Sequence, residues 1–499
     1  MLFPTIDFAI FFGIVFVLNW LLAPFPRRWK VFIIVASYVF YAWWDWRFIF
    51  LLAASTVATT LGGILVHRAR QLPERPRRRL AGRWRAPTLR GLTGARIWLT
   101  ATVVVELGLL AWFKYYGFLA VSVDNAFHHL GLSPPMPLLS VTLPVGISFF
   151  TFMGLSYVID IYRGQIEPSS PLDVAVFVCF FPHLVAGPIV RGAELLPQIE
   201  RSQRRNPRNI DFPRAAYLIF AGLFKKVVLS SYVSSTIVDP VFGNPNLHSA
   251  PEILFAIWGY AVQIYCDFSG YTDIAIGCAL LLGFRFPENF NAPYTARSLQ
   301  DFWRRWHMTL SFWLRDYLYI PLGGSQTGGK RWKLYRNLML TMVLGGLWHG
   351  AAWTFVVWGA LHGLGQCVGH YRRQRRVAAG LPAQSDQPLA VAWQRFATFQ
   401  YVCLGWVFFR ATSFGNAWTI LERLFTTWGQ SAPLVRFPVL AAIAVGIGIQ
   451  YVPRDVSVRL QEAFSRLGPV LQGTSLAAIL LVITTMGPPG VAPFIYFRF

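Results

Sequence analysis

The chain has 499 residues, of which 55% are hydrophobic, 16% aromatic and only 13% charged, yet 45 Lys and Arg against 22 Asp and Glu leave a net charge of +23. That balance is too apolar for an ordinary soluble domain. Apolar segments near the roughly 20 residues a membrane helix needs recur from Phe8 to Met486, so the chain reads as an all-α, polytopic membrane protein. The basic excess does not indicate nucleic acid, because it lies in short loops between apolar segments, where membrane topology, anionic lipid and an anionic cytosolic cosubstrate account for it.

In chain order, spanning segments are predicted near Phe8–Leu22, Val31–Trp44, Phe48–Val66, Trp98–Val121, Val141–Ile161, Ala215–Val238, Ile253–Phe284, Trp393–Phe409, Pro438–Val452 and Leu476–Met486. With broken elements included, this makes roughly 10–12 transmembrane helices. Met1–Leu22 lacks a basic n-region and a small-residue cleavage site and reads as a first helix, not a removable signal. The basic stretches PRRWK at Pro26–Lys30 and His67–Arg96, with ERPRRR and GRWR, belong on the cytoplasmic side, which places the N-terminus outside. Asp124–Pro137, without Lys or Arg, then falls outside as well.

Two apolar segments break this alternation. If Val174–Val190 spanned, the arginine-rich Glu200–Arg214 would be outside, and Pro182, His183, Gly187 and Pro188 interrupt it. It reads as a re-entrant or broken helix, tolerated only inside protein or along a watery cavity. Leu338–Val368 has basic flanks on both sides, KRWKLYR and HYRRQRR, so two half-helices meeting near Gly350 fit better than one crossing. His349 then lies near the tip of a broken element, within LMLTMVLGGLWHGAAWTFVVWGAL. A titratable group there is costly to bury. It is either a satisfied interhelical hydrogen-bond partner or a functional group, and Gly345, Gly346 and Gly350 around it permit close approach of a backbone or a ligand.

The longest mainly cytosolic connection, Arg285–Asn337, concentrates the chemistry. In YTARSLQDFWRRWHMTLSFWLRDYLYIPLGG, Ser298 and Asp301 form a capping box. Leu299, Phe302, Trp303, Trp306, Leu310, Trp313 and Tyr317 recur at helical spacing, which predicts one amphipathic helix along the membrane surface with His307 at the edge of its apolar face. Upstream, Asp267, Ser269, Tyr271, Thr272 and Asp273 interrupt an apolar segment. They are either a polar knot between helices or part of a binding site. The cysteines form no CxxC pair, and neither a disulfide framework nor a metal site is expected.

The run Tyr265–Gly324 and the LWHGA of Leu347–Ala351 closely resemble membrane-bound O-acyltransferases, in the bacterial branch of the alginate O-acetyltransferase membrane subunit. ASYVFYAWW at Ala36–Trp44, LPVGISFFTFMGLSYVIDIYRG at Leu143–Gly164, FFPHLVAGPIVR at Phe180–Arg191 and the terminal FIYFRF extend the resemblance over nearly the whole chain. Such short pieces are weak singly and strong in this order. The resemblance implies one membrane-embedded acyltransferase domain over residues 1–499, with N-terminal helices at 1–122, a catalytic core at 141–370 and C-terminal helices at 391–499. It also implies a multi-pass enzyme of the bacterial inner membrane. This enzyme moves an acetyl group from a cytosolic donor toward hydroxyls of an extracytoplasmic polysaccharide, directly or through a partner protein with an SGNH-type acetyltransferase domain.

In that family the WHG histidine is essential, which carries onto His349, and the histidine of RRWH carries onto His307. Acyl transfer to an alcohol needs a base for the hydroxyl proton, a role that suits imidazole near neutrality and for which His349 is the candidate. His307, Trp348 or backbone amides near Gly346 and Gly350 are candidates to stabilise the oxyanion. A thioester such as acetyl-coenzyme A is the expected cosubstrate, with no tightly bound cofactor. Arg304, Arg305, Lys330, Arg331 and Lys333 face the cytosol where its phosphates would arrive; Trp306, Trp348, Asp267 and Asn291 complete the candidate binding residues. Three other readings stay open: a D-alanyl or lipid O-acyltransferase of the same family, a proton or solute transporter, which internal inverted repeats would favour, and a non-catalytic scaffold.

Overall fold

The computed structural model describes residues 1, 3–71, 90–132, 137–139 and 141–487; the basic ERPRRR and GRWR runs and the terminal FIYFRF lie outside them. The described residues form helices and no strand. The chain divides into two compact units: the first comprises Met1, Ile10–Ile210 and Leu282–Phe286, the second Leu2–Ala9, Asp211–Leu281 and Pro287–Phe499.

The first unit carries α1 (Ile6–Leu22) from Ile10 onward, α2 (Pro26–Ala42), α3 (Phe48–Gln71), α4 (Arg90–Leu110), α5 (Tyr116–His129), α6 (Ile147–Arg163), α7 (Pro171–Cys179), α8 (Phe181–Leu184) and α9 (Gly192–Glu200). Pro26 opens α2 at the position where its missing N–H costs nothing. α3 and α4 approach closely at Gly62, where a Cβ would lie 2.3 Å from Thr102 Oγ1. Between them the carboxylate of Glu106 accepts from the hydroxyls of Ser55 and Thr59, each at about 3 Å in a buried setting. α4 continues into α5 through a π-helical turn at Ala111–Tyr115. The segment expected to re-enter is indeed broken: α7 stops at Phe180, α8 is a single turn, and irregular chain follows to Arg191. The irregular backbone is buried in protein, with Phe181 N–H donating to Ser37 Oγ at 3.1 Å and His183 Nε2 2.9 Å from the Phe177 carbonyl oxygen.

The second unit carries α10 (Phe212–Leu223), α11 (Ser231–Val233), α12 (Asp239–Gly243), α13 (Ala250–Leu281), α14 (Leu299–Trp303), α15 (Met308–Leu314), α16 (Arg331–His349), α17 (Trp353–Ala378), α18 (Pro388–Arg410), α19 (Phe414–Thr426), α20 (Phe437–Gly448), α21 (Arg454–Ser465) and α22 (Pro469–Met486). π-Helical turns at Phe224–Ser230 and Ser234–Val238 join α10, α11 and α12 into one apolar run. α10 and α13 touch backbone to backbone: a Cβ on Gly222 would lie 2.6 Å from the Gly270 carbonyl oxygen, and one on Gly270 2.7 Å from that of Gly222.

By length and composition, four described helices suffice to cross a membrane: Phe48–Gln71, Thr93–His129, Phe212–Gly243 and Pro469–Met486. The bent pair Phe437–Tyr451 and Arg454–Ser465, at 90°, makes a fifth if it counts as one span. Large apolar side chains such as Phe50, Val104, Phe396 and Leu481 are more than 50% exposed, while Asn19, Glu106, Asp267 and His349 are buried. That inversion is what a hydrocarbon surrounding selects.

α16 and α17 form the helix pair expected around Gly350, and they run antiparallel. Gly346 faces the Phe355 carbonyl oxygen, 2.3 Å from where a Cβ would stand, and Gly359 faces that of Met342 at 2.4 Å. At the tip, a Cβ on Gly350 would sit 2.0 Å from the Phe355 ring. Gly346→Val therefore forces the two backbones apart and is expected to destabilise the hairpin by about 1–3 kcal/mol, the cost of overpacking a filled core. A lowered thermal midpoint in detergent checks this, and an unchanged one would refute the contact.

Candidate active site

The connection from Arg285 to Asn337 departs from its expected form. In place of one amphipathic surface helix over Leu299–Tyr317, α14 ends at Trp303, α15 begins at Met308, and a π-helical turn follows at Arg315–Tyr319. The expected apolar face is buried in protein, not laid on lipid: Leu299, Phe302, Trp303, Trp306, Leu310 and Trp313 are all below 10% exposed. The cap at the start is as expected, with Ser298 Oγ accepting from Asp301 N–H at 3.2 Å. The break has a local cause. His307 adopts a left-handed conformation with φ 42°, one of only two non-glycine residues with positive φ among those described. Such a residue costs about 1–3 kcal/mol and persists only where its surroundings over-determine it.

Those surroundings come from Asn289, which is 1% exposed. Its main-chain carbonyl accepts from Met308 N–H at 2.8 Å. Its Oδ1 accepts from Thr309 N–H at 3.2 Å and from Thr309 Oγ1 at 2.9 Å, and lies 3.1 Å from His307 Nδ1. The residue thus caps α15 from another part of the chain. The His307 ring is fully buried, with Phe268 edge-on at 4.6 Å and Trp348 at 5.9 Å between ring centres. Burial pulls its imidazole down to about 3, so the ring is neutral near pH 7.

His349 closes α16 and is 2% exposed. Its ring centre is 6.4 Å from that of His307, 5.1 Å from Trp348, 5.0 Å from Trp358 and 5.3 Å from Phe409. The two histidines predicted from separate motifs therefore meet in one buried aromatic cluster. His362 borders it: its Nδ1 accepts from Trp303 Nε1 at 3.3 Å, and its ring lies 4.7 Å from that of Trp358.

The other candidate residues divide between this cluster and places outside it. Trp348, 3% exposed, contacts both histidine rings. Trp306 packs in an aromatic cluster, with Phe290 edge-on at 5.1 Å and Trp406 tilted at 5.0 Å. Asn291 is tied to the same turn, its N–H donating to the Arg305 carbonyl at 2.9 Å, and Arg305 Nε pairs with Asp301 at 2.8 Å. Arg304, Lys330 and Arg331 are exposed. Asp267 pairs with Lys226, the two side chains being 3% and 2% exposed, while Asp273 pairs with Lys225, which also donates to Ser269 at 3.0 Å. Sequence reasoning saw the two carboxylates and missed the two lysines. A charged pair inside the apolar run of Phe224–Ser230 was the available signal, since buried charges demand partners. Among the described residues, no group of three or more His, Cys, Asp and Glu is placed to hold a metal ion.

Comparison with known proteins bears on the family. Residues 98–409 match the membrane-bound O-acyltransferase family, a stretch that contains Asn289, His307 and His349. The chain is 40% identical over 399 residues to the protein named "Probable alginate O-acetylase AlgI" of Pseudomonas aeruginosa, covering 79% of this chain and 70% of that one. It is 34% identical over 425 residues to a peptidoglycan O-acetyltransferase of Helicobacter pylori, covering 80% and 73%. It is 28% identical over 296 residues to a teichoic acid D-alanyltransferase of Bacillus subtilis, covering 58% and 72%. A match over more than half the chain, joined to an all-helical membrane architecture, establishes that this protein belongs to the membrane-bound O-acyltransferase family and is an acyltransferase.

Proposed function

We propose that the enzyme is an O-acetyltransferase of the bacterial inner membrane, its N-terminus outside, that carries acetyl from cytosolic acetyl-coenzyme A toward hydroxyls of an extracytoplasmic polysaccharide. The observation that carries the reading is the pairing of His307 and His349, rings 6.4 Å apart, in a buried aromatic cluster. The acetyl group and the polysaccharide are supported by relatives named for alginate and peptidoglycan O-acetylation at 40% and 34% identity. The catalytic core is residues 141–370, between N-terminal helices at 1–122 and C-terminal helices at 391–499.

In the proposed step a hydroxyl oxygen attacks the thioester carbonyl carbon and the C–S bond breaks. One imidazole takes the hydroxyl proton, and the thiolate leaves and is protonated. The oxyanion of the tetrahedral intermediate is held by donors in the same buried cluster. The exposed Arg304, Lys330 and Arg331 suit the donor's phosphates. The receiving hydroxyl belongs to the glycan itself or to a partner protein with an SGNH-type acetyltransferase domain.

The test is mass analysis of ester groups on cell-surface glycans with and without the gene, with acetyl-coenzyme A isotopically labelled in the acetyl group. Loss of labelled acetyl esters from a surface polysaccharide is expected. Unchanged acetylation, or loss of alanyl esters in its place, would overturn the reading.

A further inference from the structure

The two histidines are not equivalent, and the difference is built by a residue that no sequence motif singled out. Asn289 Oδ1 sits 3.2 Å from Thr309 N–H. A main-chain N–H only donates, so this contact fixes the side-chain amide with its oxygen toward Thr309 and toward His307 Nδ1, 3.1 Å away. An amide oxygen only accepts, so His307 Nδ1 carries the proton. In a neutral imidazole the other nitrogen then bears the lone pair. His307 Nε2 is buried and has no hydrogen-bond partner among the described residues.

We propose that Asn289 is a positioning residue that holds His307 as the Nδ1–H tautomer, so that Nε2 is a proton acceptor and His307, not His349, takes the hydroxyl proton. This assignment rests on the acyl-transfer reading above and deepens it. A neutral Nδ1–H imidazole has no Nε2–H to offer an oxyanion, so stabilising the tetrahedral intermediate falls to other donors in the cluster. Trp348 Nε1 and, in its Nε2–H or protonated form, His349 have the required chemistry. The same Oδ1 that orients the ring also caps α15 through Thr309, and the Asn289 carbonyl receives Met308 N–H, so ring orientation and the strained backbone at His307 have one support. Around the ring, Phe268, Phe290 and Trp348 are uncharged, and among the described residues His349 is the titratable group in ring contact with it.

The direct test is nitrogen-15 magnetic-resonance spectroscopy of the full-length protein in lipid bilayers, labelled in its 9 histidines, with the His307→Gln variant identifying the signals of interest. A protonated Nδ1 and a pyridine-type Nε2 are expected. A protonated Nε2 at His307 overturns the proposal, whatever the activity. The second arm is the pH profile of His349-dependent thiol release from acetyl-coenzyme A by membranes containing the wild-type protein or Asn289→Asp. Aspartate keeps the cap on Thr309 but places a negative charge at Nδ1–H, which favours the imidazolium. The acid limb, where the base loses its lone pair to a proton, is expected to move up by about 1–3 pH units. Asn289→Leu is expected to lose the Nδ1–H signal, and aspartate to restore it. An unmoved acid limb in a folded Asn289→Asp protein counts against the proposal. If neither histidine is required for thiol release, the acyl-transfer reading fails instead, and the spectrum still decides the tautomer.

Discussion

His349→Ala is expected to lower acyl transfer by about 10²–10⁴-fold, the range for losing a group that handles a proton or a developing charge. The substitution sits at the last residue of α16, where the ring touches Trp348, Trp358 and Phe409. The helix pair is held elsewhere, through Gly346 and Gly359, so the variant should still insert and fold. The His307 companion needs more care, because its backbone is left-handed at φ 42°. Asparagine tolerates that conformation better than alanine, so His307→Asn removes the imidazole with the least disturbance of the break between α14 and α15. Transfer rates on membranes containing equal amounts of each protein check both. A His349→Ala protein that transfers at the wild-type rate would remove this residue from the chemistry.

The second large effect is on stability. Lys226→Met is expected to cost about 3–5 kcal/mol, because it removes the ammonium that pairs with the buried Asp267 carboxylate. Both side chains are at most 3% exposed, so water cannot replace the lost partner. The double variant Lys226→Met with Asp267→Leu should recover most of that loss, since it removes the buried charge together with its partner. The outer pair of Arg454 with Glu288, 66% and 48% exposed, offers the contrast, and its removal should cost no more than about 1 kcal/mol. Thermal unfolding in detergent separates the cases. If Lys226→Met and the exposed-pair variant shift the midpoint equally, the buried pair is not the structural knot described above.

Much of this protein could be read from its residues in order. Apolar runs near membrane length, interrupted by basic loops, set the helical membrane class. Pro182 and Gly187 marked the broken segment, and the basic flanks of Leu338–Val368 marked the hairpin whose tip carries His349. Those features are local: they depend on hydropathy over a few turns and on residues that cannot continue a helix. The helical period of Leu299–Tyr317 was equally local and misled, because a periodic pattern reports which side chains are buried, not whether the backbone between them stays helical. The break at His307 is stabilised by Asn289, 18 residues away, through hydrogen bonds that no periodicity encodes.

From the chain alone came the class, the two histidines and the carboxylates that had to find partners inside the membrane. Tertiary structure alone decided that those carboxylates face Lys225 and Lys226, that the rings of His307 and His349 pack in one buried cluster, and that Asn289 Oδ1 faces His307 Nδ1. The reason is physical: hydropathy acts residue by residue, whereas a tautomer, a buried ion pair and a left-handed residue are each set by a partner that only folding brings within hydrogen-bonding distance.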